Sequence, residues 1–172
     1  MAKSCFEKGE QEMLYFDLAA PVQITVLGAG GTGGYIIPHL YRMVYALNRR
    51  VEIVLVDGDL VETKNLIRQN FIHSDIGQNK AGVLAKRYAQ AFGMEAQYIP
   101  RFVETEPELY ELTRAPFNYL SILIGAVDNN KSRKLCHEIF KRQDNLVYID
   151  AGNNLSGGQV VCGCLLYTSR CV

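Results

Sequence analysis

The chain has 172 residues, of which 48% are hydrophobic, which is enough for one domain with a continuous core. Its 18 basic and 18 acidic side chains balance, so the overall charge favours neither nucleic acid nor a membrane surface as a partner. No apolar run approaches the roughly 18 residues of a membrane span, and the first residues do not resemble a signal peptide. The five cysteines stand at irregular spacings, which predicts free thiols and a cytoplasmic protein.

After a polar lead-in, residues 1–20, the chain opens with a strand, a glycine-rich loop and a helix. Val22–Leu27 is a short apolar run of the kind that forms a buried parallel strand. Apolar residues then recur at helical spacing from Ile36 to Leu47, and Val51–Val56 is a second apolar strand. Between the first strand and the helix lies a G-x-G-x-x-G pattern with two extra glycines, formed by Gly28, Gly30, Gly31, Gly33 and Gly34.

This unit predicts a phosphate-binding loop. Glycines allow the backbone to turn sharply and to approach a ligand closely. The amino end of a helix adds unpaired N–H groups and the positive end of a dipole. Asp57, at the end of the second strand, stands where a carboxylate accepts hydrogen bonds from ribose hydroxyls. A glycine turn that only packs a helix on a sheet is the simpler alternative, but the order of elements favours nucleotide binding.

The remaining pattern alternates helices and strands, which predicts an α/β fold with a doubly wound, mostly parallel, Rossmann-like sheet. Residues 60–79 form a long connection that we expect to be ordered, because it contains apolar side chains. The domain, residues 21–172, is expected to be incomplete at its carboxyl end, because no closing element follows a possible strand within 156–164. The later elements are predicted as helix Lys80–Phe92, strand Glu95–Ile99, helix Pro107–Thr113, strand Leu120–Ala126, helix Asn130–Arg142 and strand Leu146–Ile149.

A second set of polar residues suits a triphosphate better than the pyrophosphate of a dinucleotide. Arginine grips phosphate oxygens with a fork of donors, and lysine acts as a point charge. A carboxylate at a strand end near phosphates is a plausible Mg²⁺ ligand. Any one of these residues alone would be interpreted as a solvated surface group. The set, in chain order, is Asp59, Asn65, Arg68, Gln69, Lys80, Asp128 and Asn129.

Together with the glycine loop and Asp57, this set resembles the ThiF/MoeB superfamily, the adenylyltransferases related to ubiquitin-activating enzymes, over about residues 20–152. Stretches such as VLGAGGTGG and KAGVLAKRYAQAFGM are most similar to the plasmid-associated PRTRC branch. The resemblance implies that the C-terminal glycine carboxylate of a ubiquitin-like or sulfur-carrier protein attacks the α-phosphate of ATP. The products are an acyl-adenylate and pyrophosphate, and the family expectation is a homodimer.

The same resemblance implies a role for each residue of the set, with Arg68, Lys80 and Asp128 as the catalytic group. The attacking carboxylate is already ionised near neutral pH, so no general base is needed. Catalysis then rests on positioning and on neutralising charge at phosphate. By this resemblance, the Gly28–Gly34 loop binds phosphate, Asp57 binds the ribose and Asp128 binds Mg²⁺. The phosphates are contacted by Asn65, Arg68 and Lys80. The residues close to the nucleotide are Gln69, Asp59 and Asn129.

Two other functions stay open. An NAD-dependent oxidoreductase would share the glycine loop and Asp57 but would give Arg68 and Lys80 no purpose. A non-catalytic nucleotide-binding subunit would keep the fold without the reaction. We nominate no catalytic cysteine, because Cys136 falls on the inward face of a predicted helix and the Cys162-x-Cys164 pair is a poor zinc signature.

Overall fold

The computed structural model describes residues 20–47, 50–95, 97–116, 119–153 and 157–165. These ranges form a six-stranded sheet with helices on both faces. The predicted lead-in lies outside the described residues except for Ala20. In chain order the elements are β1 Val22–Leu27, α1 Gly31–Leu47, β2 Val51–Val56, α2 Lys80–Phe92, β3 Gln97–Ile99, α3 Glu106–Thr113, β4 Leu120–Gly125, α4 Asn130–Arg142, β5 Leu146–Asn153 and β6 Gly158–Leu165.

The strand order in the sheet is β3-β2-β1-β4-β5-β6. The first five strands are parallel, and β6 runs antiparallel to β5. The predicted doubly wound, mostly parallel sheet is therefore confirmed. Because β1 pairs with β2 on one side and with β4 on the other, the chain reverses its direction of winding at β1. Ligands of such sheets bind at this reversal, beyond the carboxyl ends of the strands.

Two hydrophobic clusters cover the two faces of the sheet. Alternate residues of a strand point to opposite faces, so Ile53 and Leu55 belong to the cluster under α1 and α2, while Val54 and Val56 belong to the cluster under α3 and α4. Tyr41 of α1 is fully buried in the first cluster. Among the described residues, no helix is both long enough and apolar enough to cross a bilayer.

Several element boundaries differ from the predicted ones. Helix α1 begins at Gly31 rather than at Ile36, because the glycines themselves form its first turn. Strand β5 continues past Ile149 to Asn153, because β6 pairs with it along that whole length. Strand β3 begins at Gln97 rather than at Glu95.

The connecting segment, residues 60–79, is ordered as predicted. It contains two short 3-10 turns, Thr63–Asn65 and His73–Asp75. Val61 and Phe71 insert into the hydrophobic cluster beneath α1 and α2. The segment therefore lies fixed on the sheet edge that carries the ends of β1 and β2.

Candidate functional site

The glycine loop lies at the carboxyl end of β1, packed against the segment that follows β4. Gly28 has a φ of 100°, and a Cβ there would lie 2.6 Å from the Ala126 carbonyl oxygen. A Cβ on Gly33 would lie 1.9 Å from the Gly28 carbonyl oxygen. Gly31, in contrast, has no neighbouring atom within 4 Å of a Cβ. Gly28 and Gly33 therefore shape the loop, while Gly31 leaves open space at the amino end of α1, where anions are favoured.

Asp57 lies at the carboxyl end of β2, next to this loop. Its Oδ2 accepts a hydrogen bond of 2.6 Å from the Ala29 N–H, and its Oδ1 accepts one of 2.8 Å from the Asp59 N–H. Each oxygen keeps a second lone pair, since a carboxylate oxygen accepts two hydrogen bonds. The side chain thus joins the glycine loop to the end of β2 and can still accept donors from a ligand.

Burial raises the pKa of Asp57 above its ordinary value. The hydrogen bonds from Ala29 and Asp59 and the charge of Lys80 act in the opposite direction, but desolvation is the larger effect. A raised carboxyl pKa at the carboxyl edge of a parallel sheet is a feature of functional sites as well as of buried structural networks.

Lys80 is joined to the same strand end. Its side chain is only 7% exposed, and its Nζ lies 2.8 Å from Oδ2 of Asp59, whose side chain is 54% exposed. The neighbouring Asn79 caps α2 by accepting from the Gly82 N–H, and its Nδ2 donates to the carbonyl oxygens of Asp57 and Asp59. The first turn of α2 is therefore fastened to the segment that carries both carboxylates.

The connecting segment touches the glycine loop through its amide side chains. Gln69 places its Nε2 3.8 Å from the position of a Cβ on Gly30, and its Oε1 is buried with no hydrogen-bond partner among the described residues. Asn70 donates to the Gly34 carbonyl oxygen at 3.2 Å and to the Tyr88 hydroxyl at 2.7 Å. Arg87 of α2 donates to the Asn70 carbonyl oxygen and pairs with Asp75. This segment is thereby fixed to both α1 and α2.

Two other predicted residues of this segment differ in environment. Asn65 is buried, and its Oδ1 accepts from the Glu62 N–H at 2.8 Å, so its side-chain oxygen holds the 3-10 turn. Arg68 is exposed, and its side chain forms no ion pair among the described residues. Arg68 is thus a solvent-facing cation of the segment that contacts the loop.

Asp128 follows β4 and is exposed. Asn129 caps α4, with its Oδ1 accepting from the Ser132 N–H at 2.8 Å. No group of three His, Cys, Asp or Glu side chains is placed to hold a metal within the described ranges. Mg²⁺ in nucleotide sites is held by one or two carboxylates together with phosphates. A single carboxylate such as Asp128 therefore fits a metal that arrives with a nucleotide, and does not form a metal site by itself.

Arg133 adds contacts to the site that the sequence does not predict. Its Nε donates to the Val127 carbonyl oxygen at 3.2 Å and lies 3.8 Å from Oδ1 of Asp150. A Cβ on Gly152 would lie 2.1 Å from its Nη2, so the guanidinium occupies the space that a side chain on β5 would take. Arg133 thus links the end of β5 to the segment preceding Asp128. The spacing of Asp150 and Gly152 gave no signal of this contact in the sequence.

Cys136 lies in the core as predicted. It is fully buried in the cluster under α3 and α4, and burial raises the pKa of its thiol to about 12. A thiol in that environment is inert at neutral pH.

The sheet order, the glycine loop at the winding reversal and the acidic residue after β2 define a Rossmann-like protein of the doubly wound α/β class. The profile of the ThiF family matches residues 16–162. The chain therefore belongs to the ThiF family. None of the curated proteins matches the sequence significantly.

Solved structures share this fold at low sequence identity. E. coli MccB with ATP matches with a TM-score of 0.60 and 24% identity, over 78% of this chain and 38% of that one. PaaA matches with a TM-score of 0.62 and 22% identity, over 80% and 40% of the two chains. E. coli MccB with AMPCPP and MccA matches with a TM-score of 0.63 and 23% identity, over 78% and 38%. The chain spans about two fifths of the length of these structures.

Proposed function

We propose that this chain is an ATP-dependent adenylyltransferase that activates the C-terminal carboxylate of a protein or peptide partner. The carboxylate oxygen forms a bond to the α-phosphorus of ATP, and the bond from that phosphorus to the bridging oxygen of the β-phosphate breaks. The products are an acyl-adenylate and pyrophosphate.

The observation that carries this proposal is the position of Lys80. A nearly buried ammonium group lies beside the proposed ribose-binding end of β2 and is held there by Asp59 and by the Asn79 cap. An ammonium group has three donors, and Asp59 takes one, so two remain for phosphate oxygens. A nucleotide whose ribose bonded Asp57 would extend its phosphates along the sheet edge toward the glycine loop.

The other residues complete a site that needs no proton transfer. In the proposal, the N–H groups at the start of α1 bind phosphate, Arg68 reaches the triphosphate from the connecting segment, and Gln69 supports the loop at Gly30. Asp128 would hold Mg²⁺ together with the phosphates, and the metal would neutralise charge on pyrophosphate as it leaves. Catalysis by positioning and charge neutralisation is sufficient, because a C-terminal carboxylate is already a nucleophile at neutral pH.

Relatives with solved structures support the nucleotide. Two of the MccB structures are complexes with ATP or with AMPCPP, and several contain MccA or N-formylated MccA. We propose from this likeness, and from the family, that the present chain also takes ATP and a partner with a free C-terminus. A ubiquitin-like or sulfur-carrier protein ending in glycine is the proposed partner, and a cytoplasmic homodimer of the PRTRC branch is the proposed setting.

Thermal melting with added ligands tests the nucleotide first. A ligand at about 100 times its dissociation constant stabilises a protein by roughly 2.7 kcal/mol, which gives a readable shift. We expect ATP with Mg²⁺ to stabilise the chain, ATP with a chelator to do so less, and NAD⁺ to have no effect. Stabilisation by NAD⁺ alone would instead identify an oxidoreductase.

Exchange of labelled pyrophosphate into ATP tests the reaction. The assay uses purified ubiquitin-like and sulfur-carrier proteins with a free C-terminal Gly-Gly, each compared with a form lacking the last glycine. We expect exchange with at least one intact protein and none with its shortened form. ATP binding without exchange for any partner would favour the non-catalytic nucleotide-binding subunit.

A further inference from the structure

The order of the strands gives the proposed nucleotide a direction. The glycine loop follows β1, Asp57 follows β2, and β3 lies on the far side of β2 from β1. Neighbouring strands are about 4.8 Å apart. If phosphates lie at the end of β1 and ribose at the end of β2, the base continues toward the end of β3. The residues that directly follow β3 are therefore the ones placed to contact the base.

Phe102 lies at that position. It follows β3 by three residues, belongs to neither hydrophobic cluster, and is 60% exposed. A Cβ on Gly58 would lie 2.6 to 2.7 Å from three atoms of the Phe102 ring. The ring thus rests on the backbone between Asp57 and Asp59, in the space that a side chain at position 58 would fill.

The segment around Phe102 is fixed on both sides. Arg101 pairs with Glu108 at the start of α3, and the carboxylate of Glu108 also accepts from the Glu104 N–H. Val103, directly after the ring, is buried in the cluster under α3 and α4. The residues around Phe102 are therefore anchored, while its own ring remains exposed to solvent beside a polar strand end. Such a ring offers a preformed surface on which a planar ligand can stack.

We propose that the Phe102 ring is the stacking platform for the nucleotide base, with Gly58 required because the ring rests on it. The inference rests on the proposed nucleotide site and identifies the residue that binds the base there. Stacking on an aromatic ring is tolerant of base identity, because every base has a π-face. Phe102 should therefore contribute affinity for any nucleoside triphosphate and none for a bare polyphosphate.

Dissociation constants for ATP and for inorganic tripolyphosphate, measured by calorimetry with Mg²⁺ present, test this proposal. Phe102→Leu is expected to weaken ATP binding about tenfold and to leave tripolyphosphate binding unchanged. Phe102→Tyr is expected to keep ATP binding within about twofold of the parent. Tyr110→Leu is the matched control, since Tyr110 is an exposed aromatic residue that lies with Tyr119 and Asn145 near the amino ends of β4 and β5.

Gly58→Ala tests the stacking role independently, because its methyl group displaces the Phe102 ring without removing it. We expect Gly58→Ala to weaken ATP binding in the parent and to add little in the Phe102→Leu background, as coupled residues do. Equal ATP affinity in Phe102→Leu and the parent, or additive effects of the two substitutions, would overturn the stacking role. A parent that binds neither ATP nor tripolyphosphate would overturn the proposed function, and this inference with it.

Discussion

The Nζ of Lys80 and the Oδ2 of Asp59, 2.8 Å apart, form an ion pair that is buried at one end only. The lysine side chain is almost fully enclosed at the start of α2, while the carboxylate faces solvent. Removing the carboxylate leaves a buried charge without its partner, whereas removing the lysine leaves a carboxylate that water can solvate.

Because of this asymmetry, we expect removal of the two partners to change stability unequally. Asp59→Ala should lower the free energy of unfolding by at least about 1 kcal/mol, and Lys80→Met should lower it by less. Urea denaturation measures both, with Glu111→Ala as the control, because the Glu111–Arg114 pair is exposed at both ends. If Lys80→Met destabilises the chain more than Asp59→Ala does, the buried charge is not the source of the effect.

The glycines of the loop should separate into two groups. Gly33→Ala must displace the Gly28 carbonyl group, so we expect a loss of more than about 2 kcal/mol in the free energy of unfolding or failure to fold. Gly31→Ala meets no atom within 4 Å, so its melting temperature should change little while ATP binding weakens. Melting curves with and without ATP separate an effect on folding from an effect on ATP binding. A Gly31→Ala protein that binds ATP normally would show that Gly31 is not part of the proposed phosphate site.

Arg68→Ala should affect ligand binding and not folding. The side chain is exposed and unpaired among the described residues, so the melting temperature without ligand should stay within error of the parent. A tenfold loss of ATP affinity would reduce the stabilisation at a fixed ATP concentration by about 1.4 kcal/mol. Arg42→Ala is the control, because Arg42 is also an exposed arginine but lies on α1. Equal ATP-dependent shifts in melting temperature in the two variants would contradict a phosphate contact by Arg68.

Asp57 should give the stability a pH dependence of defined sign. Its pKa is raised on folding, so above the ordinary value of 3.8 the folded chain still holds a proton that the unfolded chain has released. Its contribution to stability is therefore complete below that pH and is lost as the pH rises through the raised pKa. Denaturation of the parent and of Asp57→Asn across this range should show the parent losing stability relative to the variant as pH rises. The opposite slope would mean that the hydrogen bonds from Ala29 and Asp59 outweigh burial.

Two cysteines should differ sharply in reactivity. Cys136 is buried with its pKa raised to about 12, while Cys162 is exposed on β6. Iodoacetamide treatment of the native protein at pH 8, followed by peptide mapping, should label Cys162 and leave Cys136 unmodified until denaturant is added. Rapid native labelling of Cys136 would show that the cluster under α3 and α4 opens readily.

The fold could be predicted from the sequence because its signals are local. Three of these signals are the apolar runs of β1 and β2, the helical period of α2 and the glycines between β1 and the body of α1. Each depends on neighbouring residues, and the structure has β1, β2 and α2 where the pattern predicts them. The same is true of Asp57, which directly follows β2. The predicted boundaries were wrong where pairing between distant strands decides them, as in β5, whose length is set by its pairing with β6.

The contacts of the site depend on residues far apart in the chain and have no local signal. Phe102 on Gly58 and Arg133 on Gly152 are both cases in which a glycine makes room for a distant side chain. Glycine is common at strand ends and in turns because of its backbone freedom alone, so neither pair could be inferred from spacing. The family resemblance implies only that Gln69 lies near the phosphates, so its approach to Gly30 also had no signal in the sequence.

The fastening of the connecting segment has a thermodynamic consequence for ligand binding. Asn70 attaches it to α1, and Arg87 attaches it to α2 through Asn70 and Asp75. Ordering a flexible residue costs about 1–2 kcal/mol in backbone entropy, and this segment has already lost that freedom when the chain folds. A ligand bound between it and the glycine loop would meet a surface formed in advance, so association should proceed in one kinetic step at a rate set by encounter and not by closure of a lid.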